Sequence, residues 1–487
     1  MRLLTWVLYV ASWATLVVAT QFQHPLLPTE DEFYVPPPGF EAESPGTILR
    51  IRPTPNKLRN IYFAIDVDQS WQLMVRSTDQ FGIPSAVVTS VIIPFNADPT
   101  KIVSYQMFVD SCSEECAPSI AMLEGASMAT LSSQLEVLFI QLCLEKGWPV
   151  VVPDHGGVEN QFPGGPQGAY ATLDSIRGVL ASGATTNISS EAQVVMWGYS
   201  GGSIPTIWAS ALQPQYAPEL KTNLIGTIAG GVITNLSSAA WQNDGTPFAG
   251  IIAIAMGGYA KTYPQFDALL KQNMSPKNYH RFISSQTGCF FPNVMKFVGV
   301  QFFSGKKPWI KDGWDFLNNE VCKQIFAENS MPLDDEGPMP ETPVLIYHGY
   351  HDELLPHKDC ALLVDSWCRR GIKSLEFLSD YTSDHMIGVV SGVPLAITWM
   401  SDRFAGKPPV EGCVKLNKLS FVRYPGAMRE TLESLKRTGG HYLGRNVGSA
   451  TNVSIDAVKR FIRYGVDHGK GAAHKASRRM LNWYYER

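Results

Sequence analysis

The pentad Gly198-Tyr199-Ser200-Gly201-Gly202 contains the residue of this sequence best placed to act as a nucleophile. A reactive serine needs a sharp turn that exposes its hydroxyl, and flanking glycines let the preceding strand approach the following helix without a Cβ clash. The apolar segment 194–197 precedes the pentad directly, and a helix-compatible stretch begins at Ile204. This order of strand, turn and helix favours Ser200 as a nucleophile over an ordinary glycine-rich turn.

A histidine and a carboxylate must activate such a serine, because its hydroxyl is a weak nucleophile by itself. Asp352 lies just past the predicted strand 342–347, and His385 follows the next predicted strand, 374–378. Catalytic groups in open α/β sheets lie outside the carboxyl ends of the strands. We therefore predict a triad of Ser200, Asp352 and His385.

Other residues compete for two of these roles. Glu353 is the nearest alternative to Asp352 as the carboxylate. Asp384 is a poor partner for His385, because adjacent side chains diverge. His385 is favoured among the histidines as the one in the loop after the last predicted strand, over His348, His351 and His357.

Acyl transfer also requires hydrogen-bond donors for the negative charge that develops on the substrate oxygen. After a strand-turn-helix nucleophile, the backbone N–H groups of the next residue and of an early strand-end loop supply them. Gly201 is the first of these residues. Asp110 is the candidate for the second, because the segment 104–111 ends the corresponding strand, although a surface-turn aspartate fits the same pattern.

Segments rich in β-branched residues alternate with segments of helical spacing, which predicts an α/β fold with a mostly parallel sheet and helices on both faces. The proline-rich segment 25–55 is interpreted as an extended lead-in. We predict helices over 120–146, 168–182 and 386–400, the last of them buried. The predicted strands are 71–77, 86–94, 101–110, 149–153, 194–197, 226–233, 342–347 and 374–378.

Residues 236–340 interrupt this pattern and lack the spacing of apolar residues that predicts strands. A structureless loop of that length is uncommon in a compact domain. The stretches 248–263 and 294–303 have helical character, so we predict a helical cap inserted over the active site. An aromatic cluster in this segment suits an apolar acyl chain, and its members are Phe290, Phe291, Phe302, Phe303 and Trp309.

The 487-residue chain has a formal net charge of −4, which argues against nucleic acid as its main partner. Residues 414–487 differ from the rest, with 15 Lys and Arg against 5 Asp and Glu. Such a shift in composition predicts a boundary. The predicted organisation is a signal peptide over 1–20, a core formed by 21–235 and 341–413, the cap over 236–340, and a basic C-terminal extension over 414–487.

The N-terminus has the pattern of a secretory signal peptide, with Arg2, the apolar run 3–18 and a small-residue site near Ala19 and Thr20. A membrane anchor is the alternative, but a spanning helix needs about 20 apolar residues and a stop-transfer flank. No later segment of the sequence is long and apolar enough to span a membrane. We therefore expect a secreted, extracellular protein without a transmembrane segment.

Eight cysteines and four N-glycosylation sequons fit an oxidising, extracellular location. No cysteine arrangement has paired zinc-site spacing, so no metal site is predicted. The sequons lie at Asn187, Asn235, Asn273 and Asn452.

Several separate segments form a combination that is much more specific than the serine pentad: Ser104-Tyr105-Gln106 with Asp110-Ser111, then 151–154, 170–177, 198–202, 348–356 and Asp384-His385. Together they cover roughly Pro36 to Cys413. The combination resembles the fungal secretory lipases, the family that includes the lipase A type of yeasts. The resemblance implies an α/β-hydrolase fold with a helical lid in the inserted region.

The resemblance also implies roles for individual residues. It places the triad at Ser200, Asp352 and His385, and the oxyanion hole at Asp110 and Gly201. It implies disulfides between Cys116 and Cys289 and between Cys368 and Cys413, and it leaves Cys112, Cys143, Cys322 and Cys360 without assigned partners.

Two features depart from the family pattern. The segment Asp154-His155-Gly156-Gly157 replaces a version that usually contains an aromatic residue, which points to a different acyl or alcohol pocket. The basic tail after Cys413 is longer than expected for the family. It is interpreted as a solvated tail, with binding to an anionic surface as the alternative.

The residues predict a secreted serine ester hydrolase that forms an acyl-enzyme on Ser200, and the resemblance implies, more narrowly, a triacylglycerol lipase. We expect a monomer acting on an ester or lipid at a lipid–water interface. No cofactor is predicted, since the sequence has no phosphate-cradling loop or metal-ligand set. The alternatives are a carboxylesterase for short-chain or secondary-metabolite esters, a serine peptidase, and, from another class, a non-catalytic surface or binding protein on the same fold.

Overall fold

A ten-stranded β-sheet runs through the computed structural model, which describes residues 24–61, 63–157, 160–334, 337–442 and 446–449. The strand order is β1-β2-β3-β5-β4-β6-β7-β8-β9-β10. Strands β4 to β10 pair in parallel, whereas β1 to β3 pair antiparallel, as do β3 and β5. The predicted α/β fold with a mostly parallel sheet is confirmed. The strands are β1 Ile48–Pro53, β2 Gln69–Thr78, β3 Pro84–Ile93, β4 Lys101–Gln106, β5 Val150–Pro153, β6 Gln193–Tyr199, β7 Leu224–Gly230, β8 Val344–Gly349, β9 Ser374–Asp380 and β10 Gly412–Lys418.

The helices of the described residues fall mainly between the parallel strands and in the long segment between β7 and β8. The predicted signal peptide (1–20), the sequon at Asn452 and most of the basic extension lie outside the described residues. The helices are α1 Pro118–Ala121, α2 Leu131–Leu144, α3 Gly165–Ala181, α4 Gly183–Thr186, α5 Ser203–Tyr216, α6 Leu236–Asn243, α7 Gly250–Thr262, α8 Pro264–Asn273, α9 Pro276–Ile283, α10 Phe290–Lys296, α11 Glu320–Asn329, α12 His357–Arg369, α13 His385–Ser391, α14 Val393–Phe404 and α15 Ala427–Tyr442.

Helices cover both faces of the sheet, because successive side chains of each buried strand point to opposite sides. In β6, Val194 and Met196 belong to one apolar core, whereas Val195 and Trp197 belong to the other. Side chains of α3, α5 and α12 complete the first core, and those of α2 and α14 complete the second. The burial of β6 on both faces explains why its sequence is continuously apolar rather than alternating.

Two of the predicted helices are interrupted. The predicted helix 120–146 is divided into α1 and α2, with a short 3-10 turn at Met128–Thr130 between them. The predicted helix 386–400 is divided into α13 and α14 at Gly392, where a Cβ atom would collide with the Tyr347 ring. The prediction that this whole stretch is buried is wrong for α13, which turns Gly388 and Val389 inward but leaves Met386, Ile387 and Val390 exposed.

Residues 236–340 lie between β7 and β8 and contain α6 to α11. They have an apolar core of their own, in which Phe282, Phe297 and Phe302 are completely buried. The predicted helix 294–303 is wrong beyond Lys296, where α10 ends. Gly299 follows with a φ of +70°, a left-handed conformation that stops a right-handed helix.

The chain continues to build the core past Cys413. β10 extends the sheet by parallel pairing with β9, so the predicted boundary at 413/414 falls inside a strand. Helix α15 packs against α14, and Lys146 Nζ lies 2.7 Å from the Glu430 carboxylate. At the other edge, β1 lies within the predicted proline-rich lead-in. Both are half-exposed edge strands with charged residues, so the apolar pattern that indicates a strand is weak in them.

Candidate active site

Ser200 stands on the turn that joins β6 to α5. Its φ of +52° is in the left-handed region, which few non-glycine residues adopt and which often marks a strained functional position. The neighbouring glycines are required by close packing, because a Cβ at Gly198 would collide with the Gly202 carbonyl and one at Gly202 with the Gln106 carbonyl. The turn therefore holds the Ser200 hydroxyl at the carboxyl end of the sheet.

A continuous hydrogen-bonded chain links Ser200, His385 and Asp352. His385 Nε2 lies 2.8 Å from Ser200 Oγ, and His385 Nδ1 lies 2.7 Å from Asp352 Oδ2. Asp352 follows the end of β8, and His385 is the first residue of α13, so two successive strand-end loops bring the acid and the base together. With Nδ1–H donating to the carboxylate, Nε2 is free to accept the serine proton.

The Asp352 carboxylate is buried and ionised. Its Oδ1 accepts the backbone N–H groups of Leu354 and Leu355, at 3.0 and 2.7 Å. Burial by itself would raise the pKa of Asp352, but His385 and His348 outweigh that effect and hold the pKa well below its usual range. The charge needed to orient and stabilise a protonated His385 is therefore present at neutral pH.

The competing acids have separate partners. Glu353 Oε2 accepts the backbone N–H of His385 at 2.6 Å, so it holds the main chain at this residue rather than the imidazole. Asp384 Oδ1 accepts the N–H of Ile387 at 2.7 Å and caps α13. His357 lies beside this network and bonds Ser379 Oγ at 2.8 Å.

Asp110 lies directly against Gly201, the residue that follows Ser200. Its backbone has a φ of +39°, and its Oδ1 is so close to Gly201 that any side chain at position 201 would displace it. No donor among the described residues reaches this buried oxygen. Burial raises the pKa of the Asp110 carboxyl to about 7, although the nearby His385 acts in the opposite direction. A protonated Asp110 side chain is thus available as a donor, an option that sequence reasoning missed because it considered only backbone N–H groups.

Two buried residues that sequence reasoning did not assign to the site hold the loop before Asp110. Glu136 in α2 accepts the N–H of Phe108 at 3.0 Å and the hydroxyl of Tyr105 at 2.9 Å. Burial lowers the pKa of His155 to about 4, so the ring is neutral, and its Nε2–H donates to the Met107 carbonyl at 2.7 Å. His155 belongs to the segment 154–157, which departs from the family pattern. That departure was the one sequence signal that could have indicated a role for His155.

The inserted segment 236–340 contacts the residues that follow Asp110 in the same loop. Lys261 Nζ in α7 donates to the Cys112 carbonyl at 2.8 Å, and Ser111 Oγ donates to the Gly288 carbonyl at 3.1 Å. A disulfide joins Cys116 to Cys289 next to these contacts. The loop that contains Asp110 is consequently fixed between the core and the inserted segment.

An apolar cavity opens from Ser200 into the inserted segment. Its volume is about 850 Å³, including its opening to solvent. Ser200 and Asp110 line one end, and side chains such as Ile252, Met256 and Phe316 line the rest, with Asn243 and Tyr259 as the other polar residues of the lining. A reactive oxygen at the end of an apolar cavity suits an ester whose acyl part is a hydrocarbon chain.

The remaining predicted sites lie away from the cavity. A second disulfide joins Cys368 to Cys413, and Cys112, Cys143, Cys322 and Cys360 are buried and unpaired. Asn187 and Asn235 are exposed, and Asn273 is partly exposed. In the part of the chain that the structure describes, no helix has the length and apolar character to cross a membrane.

The parallel sheet, the strained serine turn and the Ser-His-Asp hydrogen-bond chain define an α/β-hydrolase with the site of a serine ester hydrolase. A sequence model of the family described as "Secretory lipase" matches residues 122–412. The chain belongs to this secretory lipase family, which confirms the resemblance, and it is a serine carboxylic ester hydrolase.

Individual relatives agree with this assignment. The chain is 40% identical over 444 residues to Lipase 1 of Candida albicans, covering 90% of this chain and 95% of that one. It is 34% identical to Lipase A of Arthroderma benhamiae over 446 residues, covering 91% and 93% of the two chains. Among solved structures, Candida antarctica lipase A superposes with a TM-score of 0.73 at 24% identity, covering 88% of this chain and 99% of that one. That structural likeness shows the fold.

Proposed function

We propose that the protein is a secreted triacylglycerol lipase that works through an acyl-enzyme on Ser200. His385 Nε2 removes the hydroxyl proton as Ser200 Oγ attacks the ester carbonyl carbon. The Gly201 N–H and the protonated Asp110 side chain donate to the oxyanion, and His385 then gives its proton to the departing alcohol oxygen. Water, deprotonated by His385, then attacks the acyl-enzyme, and His385 returns the proton to Ser200 Oγ as the bond to the acyl group breaks and the fatty acid leaves.

One observation carries this proposal: the hydrogen-bonded chain Asp352–His385–Ser200 ends at the apolar cavity described above. A peptidase would need polar subsites for a peptide backbone, whereas the walls of this cavity are apolar apart from four residues. The names of the curated relatives, Lipase 1 and Lipase A among them, support a lipid ester as the substrate.

The test of the proposed function compares emulsified long-chain triglyceride with a soluble short-chain ester. We expect turnover of the emulsion, covalent labelling of Ser200 by a fluorophosphonate, and loss of both in Ser200→Ala with unchanged secretion. Turnover of the soluble ester alone would identify a carboxylesterase instead. Failure of the folded protein to react with the fluorophosphonate would reject the enzymatic function altogether.

A lipid surface is the proposed setting of this reaction. Helix α13 starts at His385 and exposes Met386, Ile387 and Val390, whose side chains are 47, 53 and 59% accessible. Three apolar side chains next to the catalytic base suit contact with an aggregated substrate. The double variant Ile387→Ser/Val390→Ser should lower activity on the emulsion and leave activity on the soluble ester within about twofold, since neither side chain lines the cavity.

The inserted segment 236–340 is proposed to be the cap of the active site, and the protein is proposed to act outside the cell as a monomer. The cap supplies most of the cavity wall, and the two disulfides and the exposed Asn187 and Asn235 suit a secreted glycoprotein. N-terminal sequencing of secreted protein should find cleavage near Ala19 or Thr20. Glycosidase treatment should lower its mass, and an intracellular, unglycosylated product would contradict this part of the proposal.

A further inference from the structure

His348 is a completely buried histidine that the reaction described above does not use. It lies near the end of β8, four residues before Asp352. Its Nε2 is 3.2 Å from Asp352 Oδ2 and 3.1 Å from the Leu355 carbonyl, and its Nδ1 is 3.2 Å from the backbone nitrogen of Val232. The ring therefore contacts the same carboxylate oxygen as His385, from inside the protein.

These contacts decide where the proton of His348 resides. The backbone N–H of Val232 can only donate, so Nδ1 must accept and is unprotonated. The ring proton is then on Nε2, where it faces two acceptors, the Leu355 carbonyl and Asp352 Oδ2. With Nδ1 unprotonated, every polar atom of the buried ring has a partner. Burial lowers the pKa of His348, but Cys360 and the Asp352 carboxylate outweigh that effect and raise the pKa to about 10. A second proton would bind Nδ1, so Nε2 carries a proton toward Asp352 in either state.

Four donor groups consequently surround the Asp352 carboxylate. A carboxylate offers about four lone-pair sites. Leu354 and Leu355 donate to Oδ1, and His385 Nδ1 lies 2.7 Å from Oδ2. His348 Nε2 lies 3.2 Å from the same Oδ2, beside its hydrogen bond to the Leu355 carbonyl. Without His348, the imidazole of His385 would be the one donor near Oδ2 among the residues that the structure describes, and the carboxylate could rotate toward other partners.

His348 also contacts the backbone segment that packs against the His385 ring, at residues Gly231 and Val232. Val232, which His348 binds, follows Gly231 at the end of β7. A Cβ at Gly231 would lie 3.0 Å from Cε1 of the His385 ring, so this backbone is packed against the catalytic imidazole. The His348 ring thus contacts both the backbone at Val232 and the Asp352 carboxylate, which orients His385.

We propose that His348 is a positioning residue of the catalytic site, which fixes the Asp352 carboxylate for His385 by donating Nε2–H to Oδ2. The proposal rests on the proposed function, in which Asp352 and His385 serve Ser200. The competing explanation is structural: His348 would merely satisfy Val232 and Leu355 and hold the two loops together.

Two amide substitutions separate these explanations. The amide nitrogen of Gln reaches the position of Nε2, and the amide oxygen of Asn takes that of Nδ1. His348→Gln therefore keeps a donor for Asp352 but loses the acceptor for Val232, and His348→Asn does the reverse. His357→Gln is the matched control, since that ring lies 5.7 Å from the His348 ring but bonds Ser379 instead of the triad.

The experiment measures kcat and KM on a soluble short-chain ester, with active sites counted by endpoint fluorophosphonate titration. We expect His348→Asn to lower kcat about 10- to 100-fold, the scale known for losing the hydrogen-bond partners that orient metal-binding side chains. KM should change little, because His348 does not line the cavity, and His348→Gln and His357→Gln should stay within about threefold of the wild-type kcat.

Equal losses in His348→Gln and His348→Asn, or wild-type kcat in His348→Asn, would overturn the positioning role. If His348→Asn is not secreted, His348→Gln decides by itself, because a large loss of kcat in that variant contradicts the proposal. Asp352→Asn distinguishes a failure of the proposed function from a failure of the proposed role of His348. Wild-type kcat in Asp352→Asn would reject the proposed function, whereas a large loss there with full activity in His348→Asn would reject only the role of His348.

Discussion

At the residue scale, the state of the Asp110 carboxyl is the feature with the clearest consequence for activity. Burial raises its pKa to about 7, so the proton is retained well above the pH at which an exposed aspartate loses it. Below that pH the side chain can donate to the oxyanion. Above it, the side chain becomes an anion beside a second developing negative charge, and its proposed contribution to oxyanion stabilisation is lost.

This predicts an alkaline decline in kcat/KM centred near pH 7, because kcat/KM reports the ionisation of groups in the free enzyme. Asp110→Asn keeps a side-chain donor at every pH and should remove the decline. Asp110→Leu has no donor and should lower kcat about 10²- to 10³-fold at all pH values. A pH profile of Asp110→Asn that still falls near pH 7 would show that another group causes the decline.

At the element scale, Glu136 shows how a helix on one face of the sheet positions the loop that contains Asp110. Its carboxyl group accepts from Phe108, two residues before Asp110, and from Tyr105 at the end of β4. An apolar substitute would leave two buried donors without partners. Each unsatisfied donor costs about 1–3 kcal/mol of folding free energy.

We therefore expect Glu136→Leu to lower the free energy of unfolding, measured by urea denaturation, by about 2–6 kcal/mol. It should also lower kcat, since the loop that contains Asp110 loses its anchor. Glu136→Gln retains an acceptor oxygen and is the control, with a much smaller effect on both quantities. Unchanged kcat in a folded Glu136→Leu would show that the loop is held well enough by its other contacts.

At the scale of the whole molecule, the two disulfides make different connections. Cys116–Cys289 spans 173 residues and ties the loop after Asp110 to the inserted segment, whereas Cys368–Cys413 spans 45 residues and ties α12 to β10. Loop-closure entropy predicts roughly 5 and 4 kcal/mol of stabilisation, respectively. The first disulfide therefore holds the inserted segment next to Asp110.

Paired serine variants test this difference. Both Cys116→Ser/Cys289→Ser and Cys368→Ser/Cys413→Ser should lower the thermal midpoint by a similar amount. Only the first should also lower kcat at a temperature where both proteins are folded, because only the first bond borders the site. Equal kcat values in the two variants would contradict this expectation.

The length of the cavity should limit the length of the acyl chain that the protein accepts. Ala255 in α7 lines the cavity, and Ala255→Trp should shorten the space for the acyl chain. Each excluded methylene removes about 0.8 kcal/mol of transfer free energy, or roughly fourfold in kcat/KM per methylene. Rates on a series of esters should therefore fall for long chains and stay unchanged for short ones. Met295→Trp, at a cap position that is 73% exposed, is the control and should show no dependence on chain length.

Much of the fold could be predicted from short-range patterns. The strand before Ser200 and the parallel sheet follow from runs of apolar residues, and the structure extends β6 only slightly beyond the prediction. The elements that escaped prediction are at the sheet edges, β1 and β10, and in the cap, where Phe297 and Phe302 pack without a helix between them. Their patterns are weak because half-exposed strands and non-helical aromatic packing have no fixed period.

The sequence by itself determined the class of fold, the turn that presents Ser200, and the chain order of the candidate triad. These properties follow from consecutive residues, in which backbone conformation and apolar periodicity are local. Only the tertiary structure decided that Asp110 Oδ1 is buried with no donor among the described residues, and that Glu353 binds backbone. It also decided that Glu136, His155 and His348 lie beside the site. Each of those facts depends on contacts between separate loops and elements, which exist only after the sheet and cap have packed together.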